Sequence, residues 1–210
     1  MKIILTGAQG FTGRHFTQIA EQAGHQIINI DADLTDKVAL TEQIRPTQAD
    51  AAVHLAAISF VGHADDSAFY RVNVLGTMNL LSALAALPVK PGKVLLASSA
   101  NIYGNRREGV LTEDMAPAPA NDYGVTKVAC ELLAQVYVEL TGGRQIGLSL
   151  AAEAEGELAG LERLEAELPE LPQDGFTVET VALLHSVYES GSVRTLAGQW
   201  SGNVKESGWA

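Results

Sequence analysis

Apolar residues in this chain fall into short continuous runs, separated by longer stretches in which they recur every three or four positions. The runs are the first five residues from Met1, QIINID ending at Asp31, AAVHLAA ending at Ala57, KVLLASS ending at Ser99, and RQIGLSL over Arg144–Leu150. Runs of that length suit strands buried on both faces, while the stretches between them have a helical period. Helices are expected over about 13–23, 37–44, 68–87 and 123–140. Pro46 ends the second, and Pro88, Pro91 and Gly92 end the third, whose Val72, Leu75, Leu80, Leu81 and Leu84 form a broad apolar face. Strand alternating with helix is the pattern of an α/β fold with a parallel sheet covered on both faces.

The first run leads into TGAQGFTG, Thr6–Gly13, which opens the first helix. Gly7, Gly10 and Gly13 fit a dinucleotide fingerprint: one glycine permits the tight turn, one lets backbone approach a pyrophosphate, and one lets helix pack on strand. Gln9, Phe11 and Thr12 lie between them and belong to the same expected contact. The helix N-terminus then faces the phosphates. Asp31, at the end of the second run, comes at the usual distance to accept hydrogen bonds from an adenosine ribose. An acid there repels the extra phosphate of NADP, so NAD is the expected cofactor. Arg14 is the residue that would argue for NADP, by neutralising a 2′-phosphate, if it is not simply a solvated helix residue.

Composition narrows the partners. The 210 residues, 47% of them hydrophobic, suit one α/β domain with a sizeable core and a small appendage. A formal charge of −11 disfavours nucleic acid and anionic membrane. Cys130 is the only cysteine, which removes intrachain disulfides and cysteine-rich metal sites, and it reads as a small core residue. His15, His25, His63 and His185 form no spaced set, so no metal site is expected. The chain starts directly on its first strand and has no apolar run long enough to span a bilayer, so a cytoplasmic protein is expected.

Candidate chemistry lies at both ends of the long loop after KVLLASS. Ser98 and Ser99 close a central strand at its carboxyl end, where doubly wound folds place their ligands. Tyr123 and Lys127, four apart at the start of the next helix, share one face. An ammonium beside a phenol favours the phenolate, which makes a tyrosine a usable acid or base near neutrality. A serine hydroxyl held nearby could bond the substrate oxygen. His54 reads as a satisfied strand residue rather than a catalyst.

Five segments in order resemble the extended short-chain dehydrogenase/reductases that act on nucleotide sugars, the NAD-dependent epimerase/dehydratase family. They are TGAQGFTG, HLAA (His54–Ala57), NVLGTMNLL (Asn73–Leu81), SSANIYG (Ser98–Gly104) and YGVTK (Tyr123–Lys127). The resemblance implies a Rossmann-like doubly wound sheet. It makes Tyr123 the acid/base, Ser99 its serine partner, and Lys127 both the phenolate-stabilising residue and a ligand of the nicotinamide ribose. It puts Asp33 and Leu34 near the adenine, and Leu55, Ala56 and Ala57 along the cofactor channel. Dehydratases of this family carry a carboxylate pair directly after the catalytic Ser or Thr, where this chain has Ala100 and Asn101. That leaves 4-keto reduction or 4-epimerisation, and the short DADLTDKVAL link most resembles the reductases.

The resemblance weakens after about residue 140. Ala151 and Ala152 stand where the family has Arg-Pro, and the following Glu- and Leu-rich stretch, with Leu158, Leu161, Leu164 and Leu168 at helical spacing, reads as an amphipathic helix. Asp174–Val193 is similar to a late helix of the family, with Val178, Val181, Leu184 and Val187 as its buried stripe. Relatives are usually longer, which implies a dinucleotide-binding domain over 1–150 and a reduced substrate-lobe-like segment over 151–210. The function implied is an NAD(P)-dependent reductase or epimerase of a nucleotide sugar, and the alternative is a non-catalytic dinucleotide-binding module of regulatory role. A homodimer is implied too, formed through the helices of 68–87 and 123–140, with Leu80, Leu84, Leu132 and Val136 at its surface.

Overall fold

The structure, a computed structural model, describes residues 1–59, 65–104, 111 and 115–141, together with the backbone of 144–150 and 177–183. Six strands form one parallel sheet: β1 (Lys2–Thr6), β2 (Gln26–Ile30), β3 (Ala51–His54), β4 (Lys93–Ser99), β5 (Arg144–Leu150) and β6 (Thr177–Leu183). Their order across the sheet is β2-β1-β3-β4-β6-β5. The helices are α1 (Phe11–Gln22), α2 (Lys37–Ile44), α3 (Asp66–Phe69), α4 (Gly76–Ala85) and α5 (Asp122–Thr141). A π-helical stretch, Tyr70–Leu75, joins α3 to α4, so the helix expected over 68–87 is one run from 66 to 85 with a wider turn inside it.

Period-two alternation in the strands produces two cores. Ile4, Ala52, Val94 and Leu96 point to one face, where Leu40 and Ile44 of α2, Leu80, Leu81 and Leu84 of α4, and Ala134 of α5 cover them. Ile3, Leu5, Ala51, Val53 and Leu95 point to the other, against Phe16 and Ala20 of α1. Burying each large side chain is worth roughly 1.5–3 kcal/mol, so the central strands register themselves by which face each residue can fill. Asp36 caps α2, its carboxylate accepting from the amides of Val38 and Ala39 at 3.0 Å each. No helix among the described residues is long and apolar enough to cross a membrane.

Two expectations change. Leu80 and Leu84 are not surface residues, because that side of α4 packs into the first core; Leu132 and Val136 are exposed, as are Val125, Tyr70 and Leu75. The helix expected within 174–193 is instead a strand over Thr177–Leu183, paired with β4 from Lys93↔Thr177 to Ser99↔Leu183 and with β5. Thr177, Val178, Thr180 and Val181 are β-branched, and such side chains fit a pleated strand better than a helix. The sheet therefore takes one strand from beyond residue 150. The amphipathic helix expected around Leu158–Leu168 lies outside the described residues, as does the rest of Asp174–Val193.

Candidate active site

The candidate residues lie at or just after the carboxyl ends of β1 to β4 and in the first turns of α5, at the end of the sheet where doubly wound folds open a crevice. The loop after β1 is shaped by what glycine lacks. Gly7 has φ +78°, and a Cβ there would stand 2.5 Å from the Ala56 amide nitrogen, so the loop lies hard against the segment after β3. A Cβ on Gly13 would be 2.0 Å from the Gly7 carbonyl oxygen, whereas one on Gly10 would meet only that oxygen, at 3.2 Å. Gly10 thus presents bare backbone to the open side. It also precedes α1, whose start has neither a side-chain cap nor an acidic residue in its first turn. Main-chain donors, the positive end of the helix dipole and an open backbone face fit a pyrophosphate. Leu55, Ala56 and Ala57 are half-buried alongside, with the Leu55 amide donating to the Thr6 carbonyl at 3.1 Å.

Asp31 is exposed at the end of β2 and accepts a hydrogen bond from Gln43 Nε2 at 2.7 Å, while Gln43 Oε1 accepts from the Ala32 amide at 2.9 Å. Gln43 of α2 therefore holds the carboxylate in place, a role nothing in its sequence position signals. Asp33 is turned onto its own loop: it accepts from the Thr35 amide and hydroxyl, both at 2.8 Å, and these bonds hold its carboxyl below the ordinary range. Leu34 is buried under Gly76, with its carbonyl accepting from Asn79 Nδ2 at 2.9 Å. Arg14 folds back to donate to the Gln9 carbonyl at 2.9 Å.

The last turn of β4 meets the first turns of α5. Ser99 is fully buried and its hydroxyl oxygen accepts from the backbone and the side-chain amide of Asn101, each at 3.2 Å. Asn121 caps α5, accepting from the Gly124 amide at 2.7 Å, and its own amide donates to Asn101 Oδ1 at 3.3 Å. Gly124 is small because it must be: a Cβ there would lie 2.6 Å from the Asn101 carbonyl oxygen. That close approach brings Tyr123 and Lys127 to the end of β4. Both are 6% exposed; Lys127 Nζ donates to the Ala97 carbonyl at 2.9 Å and stands 5.6 Å from the centre of the Tyr123 ring. Phe69 lies near the same ring, 6.3 Å between centroids and tilted by 56°.

A buried polar chain runs behind these residues. His54 is bonded at both ring nitrogens, to Thr6 Oγ1 at 2.6 Å and Thr77 Oγ1 at 2.9 Å. Burial, helped by the charge of Lys127, pushes its pKa down to about 3, so it is neutral and structural. Asn73, in the π-helical stretch, accepts from the Ile58 amide at 2.8 Å and donates to the Ile58 carbonyl at 3.0 Å and to Thr126 Oγ1 at 3.2 Å. Thr126 donates in turn to the Tyr123 carbonyl at 2.7 Å. Cys130 is buried and donates to the Asn73 carbonyl at 3.2 Å; burial raises its thiol pKa. Ser98 donates to Glu131, whose carboxyl is pushed up by burial.

Asn73, Asn101 and Asn121 were not singled out by sequence for these contacts. Asn73 carried a signal, as a polar residue between Val72 and Val74 in a largely apolar helical stretch.

Residues 3–160 match the NAD dependent epimerase/dehydratase family. The chain is 33% identical over 142 residues to GDP-6-deoxy-D-talose 4-dehydrogenase of Aggregatibacter actinomycetemcomitans, a match covering 65% of this chain and 48% of that protein. It is 35% identical over 141 residues to GDP-6-deoxy-D-mannose reductase of Pseudomonas aeruginosa, covering 63% and 45% respectively. The matches thus cover less than half the length of these two relatives. A crystal structure of UDP-glucose 4-epimerase from Brucella ovis in complex with NAD superposes with a TM-score of 0.63 at 26% identity, covering 74% of this chain and 55% of that one.

Proposed function

The chain belongs to the NAD dependent epimerase/dehydratase family, and from that premise we propose that it is an NAD-dependent oxidoreductase of nucleotide sugars, working as a 4-keto reductase or a 4-epimerase. What supports this reading is that Ser99 closes β4 while α5, docked on Asn101, brings Lys127 to the Ala97 carbonyl and to 5.6 Å from the Tyr123 ring. Two of the relatives are named for dehydrogenation or reduction of a GDP-6-deoxyhexose, which supports reduction of a 4-ketone, and others are named UDP-glucose 4-epimerase, which supports epimerisation.

Gly7, Gln9, Gly10, Phe11, Thr12 and Gly13 would hold the cofactor's pyrophosphate, Asp31 its adenosine ribose, and Leu55, Ala56 and Ala57 the channel between them. Bound NADH supplies the hydride that reduces the carbonyl carbon. The chain supplies the rest. Ser99 Oγ–H donates to the carbonyl oxygen, Tyr123 gives that oxygen its proton, and the Lys127 ammonium stabilises the phenolate left behind until solvent reprotonates it. Asp31 favours NAD over NADP, while Arg14, which donates to the Gln9 carbonyl, is the residue that would favour NADP.

A second reading is a module that binds the dinucleotide without turnover; the matches cover 48% and 45% of these two relatives. The exposed apolar stripe of Val125, Leu132 and Val136 on α5, with Tyr70 and Leu75 beside it, supports a homodimer through this face. Oxidation of NADH by a panel of 4-keto-6-deoxy nucleotide sugars, with wild type and Tyr123→Phe compared, separates the two functions. Turnover lost in the variant supports the enzyme; NAD binding with no turnover in either protein supports the module.

A further inference from the structure

We propose that Asn101 is a positioning residue that fixes the Ser99 hydroxyl as a hydrogen-bond donor to the substrate oxygen. The proposal rests on the role given to Ser99 above and adds what sets the direction of its hydrogen bond. A serine hydroxyl has one proton to give and two lone pairs to fill. Both acceptor places on Ser99 Oγ are taken by one residue, the backbone N–H and the side-chain Nδ2 of Asn101, each at 3.2 Å. Only the proton is left for a ligand.

The orientation of the Asn101 amide follows from a main-chain donor whose polarity is certain. The Gly124 N–H can only donate, so the Asn121 atom that meets it at 2.7 Å is Oδ1. The other end of the Asn121 amide is then Nδ2, a donor, and the Asn101 atom 3.3 Å from it must be Oδ1. Asn101 therefore turns its Nδ2 toward Ser99. The relay from Gly124 through Asn121 and Asn101 to Ser99 contains no titratable group, so the hydroxyl keeps its direction across the pH range in which histidines and carboxylates change charge. The Asn101 carbonyl oxygen also abuts Gly124, so the residue that orients Ser99 is the one against which α5, with Tyr123, is docked. The substrate group this arrangement meets is an acceptor oxygen, a ketone or the alkoxide it becomes.

Asn101→Asp tests the direction with almost no change of shape. At pH 8 a carboxylate can only accept, so it draws the Ser99 proton to itself; kcat for a 4-keto nucleotide sugar should fall about 10²-fold, with little change in KM. As the pH is lowered the new acid protonates, offers an O–H to Ser99, and activity should rise, a limb that wild type lacks. Ser99→Ala combined with Asn101→Asp should cost no more than Ser99→Ala alone. A readout independent of substrate uses the full chain labelled with nitrogen-15. The Asn101 side-chain amide pair, assigned by through-bond correlation, should shift in Ser99→Ala. Additive losses in the double variant, a pH profile like that of wild type, or an unmoved amide pair would each overturn the proposal. Absence of any wild-type turnover would defeat the proposed function instead, and the amide pair alone would then decide the position of Ser99.

Discussion

The two ends of the crevice are built by opposite means. At the fingerprint loop the structure depends on missing atoms: Gly7 lies against Ala56, Gly13 lies against Gly7, and Gly10 offers backbone to the open side. At the end of β4 it depends on side chains that hold one another, with Asn121, Asn101 and Ser99 in series and Lys127 anchored on the Ala97 carbonyl. Backbone donors at a helix start suit a ligand that must be held and released unchanged. Oriented side chains suit a step in which a proton has to leave a particular atom for another. Under the proposed function, binding and chemistry fall at different ends, and substitutions test whether they can be pulled apart.

The largest effect is expected at the chemical end. Tyr123→Phe removes one oxygen and should lower turnover by roughly 10²–10⁴-fold while leaving the NAD dissociation constant nearly unchanged in a fluorescence titration. An equal loss in both measurements would mean that the ends are not separable. Gly13→Ala is the counterpart. Its methyl would start 2.0 Å from the Gly7 carbonyl oxygen, so the loop must open at a cost of about 1–3 kcal/mol, and NAD affinity should drop by about one to two orders of magnitude.

The polar chain behind the crevice joins the two ends, and it has a pH dependence of its own. His54 is held neutral with a pKa of about 3 when folded and titrates near 6.5 when unfolded. The unfolded chain therefore binds the extra proton first, so stability is full above pH 6.5 and declines as the pH falls toward 3. Urea unfolding should show about 2 kcal/mol less stability at pH 5 than at pH 7 from this group, and His54→Gln should flatten that slope. Asp31→Ala should weaken NAD by about fivefold, the worth of roughly 1 kcal/mol of hydrogen bonding, and erase the preference over NADP. Leu132→Asp, on an exposed site, should move folding stability by no more than about 0.5 kcal/mol but convert a dimer to a monomer in sedimentation.

What the sequence disclosed follows the same division. The loop over Thr6–Gly13 was legible because its constraint is local, three glycines at fixed spacing between a strand and a helix. Strands β1 to β4 were legible because each side of the sheet demands apolar residues, and KVLLASS coincides with β4 over Lys93–Ser99. Tyr123 and Lys127 were visible as a helical pair. Their setting was not visible, because Asn101 meets Asn121 across a twenty-residue separation and Gln43 meets Asp31 from a different element. The strand at Thr177–Leu183 was missed for a related reason: valines three apart satisfy a helical stripe, while alternate residues in the same segment fit a strand. The burial of Leu80 and Leu84 depended on which side of α4 meets the sheet, which the width of its apolar face left open.

The π-helical stretch at Tyr70–Leu75 has a consequence for how this chain can vary. A π turn takes up more residues than an α turn over the same span, so it holds extra chain length without turning the helix on either side of it. Removing one residue there would leave a more regular helix with α3 and α4 still presenting the same faces, so the change would fall on the residues inside the stretch. Asn73 is one of these, and its side chain bonds both Ile58 and Thr126. A change of length at this point would thus disturb the polar link behind Tyr123 while α4 stays packed on the sheet.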